Sequence, residues 1–582
     1  MKIKFCGAAA GVTGSCHLIT VGGDRSDVAD ERTDGGRNRA AAEGAARGGN
    51  KAETDTSVRI LLDCGQFQGG NSLEAQNYDP FPFRPDEIDL LILSHAHIDH
   101  CGRIPLLVKR GFSGPVYCTD ATADLLGVML RDSAYIHEKE AEWKTRKAQR
   151  AGRPPAEPLY TVKDAEAALK HVVPVLYNQL VEPLPGVKFV LNDAGHIIGS
   201  AIVELWTTEG GNVSKLVFSG DLGTADRPML RDPVVIKKAD CVIMESTYGN
   251  RLHEDNEESI RKLADILIRT AKIGGTVVIP SFAVGRTQEL IYELNNFFEG
   301  NEPYRKELEQ VIVYIDSPMA TAATEVFRRN AQVFDEEFKQ KILAGDDPLD
   351  FVNLRFTKTT AESMSLNEGN ESKVIISASG MCEAGRIRHH LKHHLWDARA
   401  AVVFVGYQGE GTLGRRLLDG AETVTLFGEE VFVNARIYNL EGFSAHADQN
   451  GLLAWAKGFR APPAAFFLVH GELQAKRDLA REIETSTGIR PIVTEGVSEY
   501  ELGKHAVTTE AQAMRDIVAA EDVGKLRKRI TDMRASLEDI LYNSSLALSE
   551  AGDPTVVTDI NNRLMALEKE MFALASAVKR QA

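Results

Sequence analysis

The chain has 582 residues, of which 43% are apolar and 26% charged, and its 83 acidic against 67 basic side chains give a formal net charge of −16. That length calls for more than one large domain, and that composition excludes a largely disordered, collagenous or membrane-embedded protein. The acid excess also excludes a protein that holds nucleic acid by bulk positive charge, though not one with a local basic groove or a metal site.

The first sixteen residues contain two lysines and are broken by Gly7, Gly11, Thr13 and Gly14. They predict a short strand at Lys2–Cys6 and a glycine-rich turn rather than a secretion signal. A second strand is expected around His17–Val21. Residues 22–57 then carry eight acids, six bases and a single large aliphatic side chain, Val28. Such a segment cannot bury enough surface to offset its ordering entropy, which predicts a disordered insertion within a hairpin. Arg59–Asp63 and Ile88–Ser94 read as strands, the second of the fully buried kind. A charged helix is expected from about Ala121 to Lys147, stopped by Pro154, Pro155 and Pro158. Strands recur at Val187–Leu191, Ser200–Trp206, Lys215–Ser219 and Cys241–Glu245, a texture of stacked sheets flanked by helices.

Past Asn250 the pattern alternates. Helices are expected at Glu257–Lys272, Thr287–Phe298, Ala320–Asn330 and Arg386–Leu395. Between them stand strands at Thr276–Pro280, Val311–Asp316, Lys373–Ser377 and Ala401–Tyr407. This is the rhythm of a parallel sheet, whose ligands bind at the carboxyl ends of the strands. Strand-rich texture returns after Phe432, through Leu468-Val-His470. One α/β unit, residues 250–430, thus interrupts another domain made of residues 1–249 and 431–510. In the tail, 515–582, apolar residues at Val523, Leu526, Ile530, Met533, Leu537 and Ile540, and again at Ile560, Leu564, Leu567, Met571, Leu574 and Val578, follow heptad spacing. They predict a helical hairpin broken at Gly552-Asp-Pro554, with a homodimer seam as the other reading. The basic spot at Lys525, Arg527, Lys528 and Arg529 reads as a solvated face rather than an RNA contact.

The seven cysteines are odd in number and form no C-x-x-C pair. That pattern predicts free thiols in a reducing compartment, expected to be the cytoplasm. No stretch approaches the ~20 apolar residues of a membrane span.

The chemistry concentrates in Ser94-His-Ala-His-Ile-Asp-His100. Three histidines and an aspartate within six residues follow a buried strand, and neutral imidazole with carboxylate is a zinc ligand set. His95 and His97 can point the same way in an extended turn, while Asp99 and His100, at a helix start, can address a second metal. More ligands are available at strand-to-turn junctions: His196 in Asp193-Ala-Gly-His, Asp221 in Ser219-Gly-Asp, and His470 in Leu468-Val-His. Each is flanked by glycine, which lets a backbone approach a site closely. Alone, each is more often a turn residue or a core histidine; together they complete a dinuclear site.

This pattern, H-A-H-I-D-H followed by G-H and S-G-D, resembles the metallo-β-lactamase fold. Further motifs narrow the resemblance: Glu245-Ser-Thr-Tyr-Gly-Asn-Arg251, Pro280-Ser-Phe-Ala-Val-Gly-Arg286, Ser379-Gly-Met381, Gly442-Phe-Ser-Ala-His-Ala-Asp448 and His470-Gly-Glu472. They are similar to the β-CASP branch of nucleic-acid phosphodiesterases. Within it, the match is to the endonuclease subunit of the cleavage and polyadenylation specificity factor and its prokaryotic ribonuclease relatives. The resemblance covers roughly residues 1–505. It implies an αββα sandwich with an inserted α/β β-CASP domain.

It also implies a zinc-dependent ribonuclease with two zinc ions per chain, acting in RNA processing or decay. His95, His97, His196 and Asp221 would hold the first ion, and Asp99, His100, His470 and a bridging Asp221 the second. Asp63 would orient ligands from behind. Two metals ~3.5–4 Å apart can hold a hydroxide that attacks phosphorus in line. His446 would protonate the leaving 3′-oxygen, and Glu245 would hold its imidazole in the right tautomer. Catalytic duty thus falls on His446, Glu245, Asp99 and Asp221. DNA-directed members typically lack a histidine where His470 stands, which implies RNA as the partner.

Arg286 and the segment Ser379-Gly380 through Arg386 join strands to helices and resemble anion cradles for RNA phosphates. His389, His390, His393 and His394 follow at helical spacing. With no carboxylate or thiol nearby in sequence, they predict a phosphate-facing or solvated face. The alternatives are a small-molecule hydrolase of thioesters or lactones, a DNA-directed nuclease, and an inactive scaffold. The inserted unit argues against the first, His470 against the second, and the complete ligand set against the third. Endonuclease and 5′-exonuclease action both remain open at this level. Four positive charges from two zinc ions, with Arg286 and Arg386 near the cleft, would place the field where phosphates sit. Non-specific binding should then be weak and shallow in its salt dependence.

Overall fold

In the computed structural model, residues 1–22, 57–369 and 371–502 are described. The insertion expected at 22–57 lies outside them except for Gly22 and Ser57, and the helical hairpin expected at 515–582 lies wholly outside. The described parts of residues 1–339 and 347–509 form one compact unit; of a second unit only Gln340–Asp346 is described, a helix end and its turn.

Two seven-stranded sheets form the first layer pair. One runs Ser498–Glu501, Lys2–Gly7, Cys16–Val21, Val58–Leu62, Leu90–Ile92, Val116–Thr119, Val172–Val175. The other runs Ile492–Val493, Ala465–Leu468, Cys241–Met244, Asn212–Phe218, Ala201–Glu209, Val187–Asp193, Val181–Leu184. Side chains alternate between the faces of a strand, and this alternation decides what packs where. Ile3, Phe5, Ile60 and Leu62 from the first sheet meet Phe189, Leu191, Phe218, Ile243 and Phe467 from the second. Phe5 and Phe467 touch with ring centroids 5.1 Å apart. The residues one step on, Val217, Val242, Met244, Phe466 and Leu468, point the other way, into a second core with Leu452 and Trp455 of helix Gln449–Ala456 and Leu479 and Ile483 of helix Leu473–Thr487. Both faces of Cys241–Met244 are therefore buried, which is why it reads as an unbroken apolar run.

The inserted unit is a six-stranded sheet in the order Leu354–Phe356, Ile312–Ile315, Lys373–Ser377, Thr276–Pro280, Ala401–Phe404, Arg436–Asn439. Every pairing in it is parallel. The alternating helix–strand pattern after Asn250 thus has its expected outcome. Arg436–Asn439 pairs with Ala401–Phe404 and lies past residue 430, where the inserted unit is expected to end. Its apolar content is too slight to mark it as a sheet strand from sequence. The helix expected at Ala121–Lys147 spans Asp120–Arg150, its start capped by the Thr119 hydroxyl, which accepts from the Thr122 amide.

All seven cysteines are buried and free of disulfides. No helix among the described residues is long and apolar enough to cross a membrane. The strand ends of the paired sheets and of the inserted sheet converge on one cavity of about 330 Å³, lined by His97, Asp99, His196, Asp221, His446 and His470 on one side and by Phe282, Ser379 and Tyr407 on the other.

Candidate metal centre

Most of the candidate ligands sit just past a strand, where the backbone leaves the sheet and a side chain is free to turn inward. His95 follows Leu90–Ile92, Asp221 follows Asn212–Phe218, and His470 follows Ala465–Leu468. Asp99 and His100 lie in the short helix Ile98–Cys101. Two of the site's residues adopt left-handed backbone: Asp63 with φ 59° and His470 with φ 50°. Such conformations cost energy in a non-glycine residue and persist where surrounding contacts enforce them. Here they do: the His470 amide donates to the Ala8 carbonyl at 2.7 Å, and its carbonyl accepts from the Ser246 amide at 3.1 Å. Gly65 is needed for close approach, since a Cβ there would stand 1.5 Å from the Asp99 carbonyl oxygen.

The side chains form two groups whose ligand-type atoms lie within 4.8 Å of one another: His95, His97, His196 and Asp221, and Asp99, His100 and His470. In the first, His95 Nε2 and His97 Nδ1 are 3.0 Å apart, and His97 Nδ1 and His196 Nε2 are 3.2 Å apart. Asp221 Oδ2 is 3.5 Å from His95 Nε2 and 3.6 Å from His196 Nε2. In the second, His100 Nε2 is 3.2 Å from His470 Nε2, and Asp99 Oδ2 is 3.4 Å from His470 Nε2. Asp221 joins the two, with Oδ2 3.2 Å from His100 and Oδ1 3.5 Å from His470.

Electrostatics set the protonation states a metal needs in the first ligand group, whereas in the second burial is outweighed by Asp221, then Asp63 and Asp99, which hold the His100 pKa well above its ordinary value. Burial pushes His95 and His196 well below their ordinary range and His97 down to about 4, so these rings are neutral at pH 7. Burial works against the Asp221 carboxylate, but the imidazoles of His100, His470 and His95 outweigh it and hold its pKa well below the usual value. Asp99 is lowered in the same way, its burial overcome chiefly by His100. The residues fit a cation. Three neutral rings and an ionised carboxylate present converging lone pairs with too few protons to share among them, and Asp221 Oδ1 and His196 Nδ1 are buried without hydrogen-bond partners.

Asp63, fully buried, stands behind this shell. Its Oδ2 accepts from His100 Nδ1 at 2.7 Å and from the hydroxyls of Ser15 and Ser94 at 2.9 Å, and its Oδ1 accepts from the Ser94 amide at 2.8 Å. It fixes the His100 tautomer and leaves Nε2 aimed at the second group. The D63N variant is expected to bind metal about 10- to 100-fold more weakly, measured by competition with a chelator. Unchanged affinity would remove Asp63 from that role.

Glu245 and His446 meet beside the ligands, His446 Nδ1 3.2 Å from Glu245 Oε1 and 3.9 Å from Asp221 Oδ2. Glu245 is fully buried, held by the amides of Leu222 at 2.7 Å and Thr247 at 3.1 Å. His446 is anchored through its backbone, whose carbonyl accepts from Thr224 at 3.0 Å and lies 2.8 Å from His253 Nε2. Burial lowers the His446 pKa, but Glu245 and then Asp221 and Asp99 reverse the sign and hold it above the ordinary value. Sequence reasoning missed His253 and also Thr247, whose hydroxyl is 3.1 Å from His470 Nδ1. Thr247 lies inside the Glu245–Arg251 motif and was findable there; His253 carries no signal of its own.

The expected substrate contacts divide. Ser379 and Arg286 line the cavity; Gly380 and Arg386 do not. Arg286 is only 6% exposed, and its Nη1 donates to Glu289 Oε2 at 2.5 Å while Arg227 donates to Oε1 at 2.6 Å, so its charge is partly matched already. Arg386 turns to Asp316 Oδ1 at 2.6 Å, because a fully buried carboxylate requires a cation. Gly380 packs under Phe282, where a Cβ would come within 2.9 Å of the ring. The histidine helix also needs correction. His390 is fully buried and bonded to Asp316 Oδ2 at 2.6 Å, so the carboxylate absent from its sequence neighbourhood is supplied by the end of strand Ile312–Ile315.

Comparison with known proteins agrees with this geometry. Residues 52–220 match a metallo-beta-lactamase superfamily domain, 287–417 a Beta-Casp domain, and 430–494 a Zn-dependent metallo-hydrolase RNA specificity domain. The chain is 37% identical over 472 residues to ribonuclease TTHA0252 of Thermus thermophilus, covering 81% of this chain and 93% of that protein. It is 33% identical to the transcription termination factor FttA of Methanocaldococcus jannaschii and 31% identical to that of Methanococcus maripaludis, spanning 64% of the length of each.

Proposed function

Because the chain belongs to the β-CASP ribonucleases of the metallo-β-lactamase fold, and is thus a metal-dependent hydrolase, we propose that it cleaves RNA phosphodiester bonds in this cavity with two zinc ions and His446 as general acid. The observation that carries the reading is the Glu245–His446 pair, 201 residues apart in sequence yet 3.2 Å apart in space, beside both ligand groups. A small-molecule hydrolase on the same core has no use for it.

His95, His97, His196 and Asp221 would hold one ion, and Asp99, His100, His470 and Asp221 the other. When bound, the ions supply Lewis acidity toward a phosphodiester and make water a nucleophile near neutral pH. The chain's own residues do the rest. Glu245 accepts the Nδ1–H of the His446 imidazolium and stabilises that charged form, whose Nε2–H is the proton for the departing 3′-oxygen. Asp63 and Thr247 keep His100 and His470 from rotating. Ser379 and the loop Phe282–Arg286, on the far wall, position the strand. RNA rather than DNA is favoured by His470 and by the match of residues 430–494.

The test is hydrolysis of 5′- and 3′-labelled RNA beside DNA of the same sequence, together with metal analysis. We expect zinc near two per chain, cleavage of the RNA and little of the DNA; product sizes distinguish internal from 5′-terminal attack. A chain that holds its metal and cleaves no RNA overturns the reading.

A further inference from the structure

The helix Asp120–Arg150 has one face in the cleft and an outer half that hydrolysis does not use. Met129, Asp132 and Ile136 line the cavity. Steps of three and four keep residues on one helical face, and such steps lead from Ile136 through Lys139 to Trp143 and Lys147. At 1.5 Å per residue, Lys147 stands about 16 Å beyond Ile136 along the axis. No residue of the helix is buried past Ala141.

Two aromatic rings are a little over half exposed on this outer face, Tyr135 at 53% and Trp143 at 57%. Each has a lysine one turn on above it, Lys139 Nζ 5.5 Å from the Tyr135 centroid and Lys147 Nζ 5.3 Å from that of Trp143. From Trp143 to Ala156 the chain carries Lys144, Arg146, Lys147, Arg150 and Arg153 and no acid, against a net charge of −16 for the whole. Lys144 pairs with Glu140 at 3.3 Å, whereas Arg146, Lys147, Arg150 and Arg153 have no carboxylate partner among the described residues. A basic run alone is usually a solvated face. A solvated face has no need of two exposed rings in line with the wall of a catalytic cleft.

We propose that the outer face of this helix, Tyr135 to Arg150, is a track for single-stranded RNA continuous with the cleft. Trp143 is its stacking platform, and Arg146, Lys147 and Arg150 meet phosphates. Stacking is sequence-tolerant because every base has a π-face, and interleaved cations follow the backbone. The track rests on the RNA reading above. It extends it to RNA outside the cavity, and replaces the shallow salt dependence expected from charge alone with a steeper one for long strands.

The full-length chain carrying W143A is expected to show KM for a long single-stranded RNA raised about tenfold at unchanged kcat, the loss of one stacked base. W143Y should restore most of it. The triple variant R146Q/K147Q/R150Q should make the plot of log KM against log salt shallower by about 2, three contacts at roughly 0.7 each. If the unaltered chain cleaves long RNA and these variants match it in KM and salt slope, the track is wrong and the ribonuclease reading stands. A variant that instead loses an acidic protein partner, with KM for RNA unchanged, also overturns the track. If the unaltered chain cleaves no RNA, both fall.

Discussion

The D221N variant is expected to lose phosphodiester hydrolysis and most of its bound metal together. Among the described residues Asp221 is the one carboxylate that reaches both ligand groups, lying 3.5 Å from His95, 3.6 Å from His196, 3.2 Å from His100 and 3.5 Å from His470. Asparagine keeps the shape and removes the charge. It also places an amide N–H among rings whose lone pairs should face a cation, so both groups are damaged at once. The loss of metal affinity should exceed the roughly 100-fold that removing an outer partner such as Asp63 produces. Metal content by atomic emission and turnover on labelled RNA read the two effects. A D221N protein that keeps its full metal complement and its rate would show that Asp221 does not join the groups.

His446→Ala is expected to lower turnover by about 10²- to 10⁴-fold, the usual contribution of a positioned proton donor, while leaving the metal in place. Metal content decides the assignment, because Asp221, Glu245 and His446 themselves lie within 4.8 Å of one another and form a third set of ligand-type atoms. Loss of metal in this variant would make His446 a ligand rather than an acid. The sign of the pH dependence follows from the raised pKa of His446: burial opposes protonation, but Glu245 prevails. Bound cations weaken the pull of Asp221 and Asp99 and leave the Glu245 contact as the main support. The donor is charged below its folded pKa and is lost as pH rises through it, so the alkaline limb of the rate profile should be present in the unaltered chain and absent from His446→Ala. E245Q should fall between the two in rate, its ring present but free to take the wrong tautomer.

The histidine motif was legible in sequence because its spacing is local. A strand end followed by His95, His97, Asp99 and His100 has few ways to point its side chains. From the residues themselves His196, Asp221 and His470 were legible only as glycine-flanked candidates, each on its own more often a turn residue or a core histidine, and the family resemblance assigned them as ligands. The parallel sheet of the inserted unit could be read from its alternation, yet Arg436–Asn439 could not, because a short edge strand carries no apolar pattern. The two arginines show the opposite failure. Arg286 and Arg386 stand where anion cradles stand, but Glu289 and Asp316 already hold them. The phosphate-facing or solvated face expected of the histidine helix fails at His390, because its partner Asp316 lies 74 residues away in sequence.

Residue types and their local spacing set the chemistry available: imidazoles and carboxylates at strand ends, an acid and a histidine flanking an inserted α/β unit, and one long, highly charged helix. Those properties follow from residue type and from periods of two and 3.6, which are local. Only the tertiary structure decided which residues share a cation, which charges are already paired, and that one helical face runs from the cavity out to Trp143. Such facts depend on separations between side chains up to 371 residues apart, as for Asp99 and His470, and no local spacing encodes them. A charge finds its role from what it is buried against, and that is settled when the sheets close.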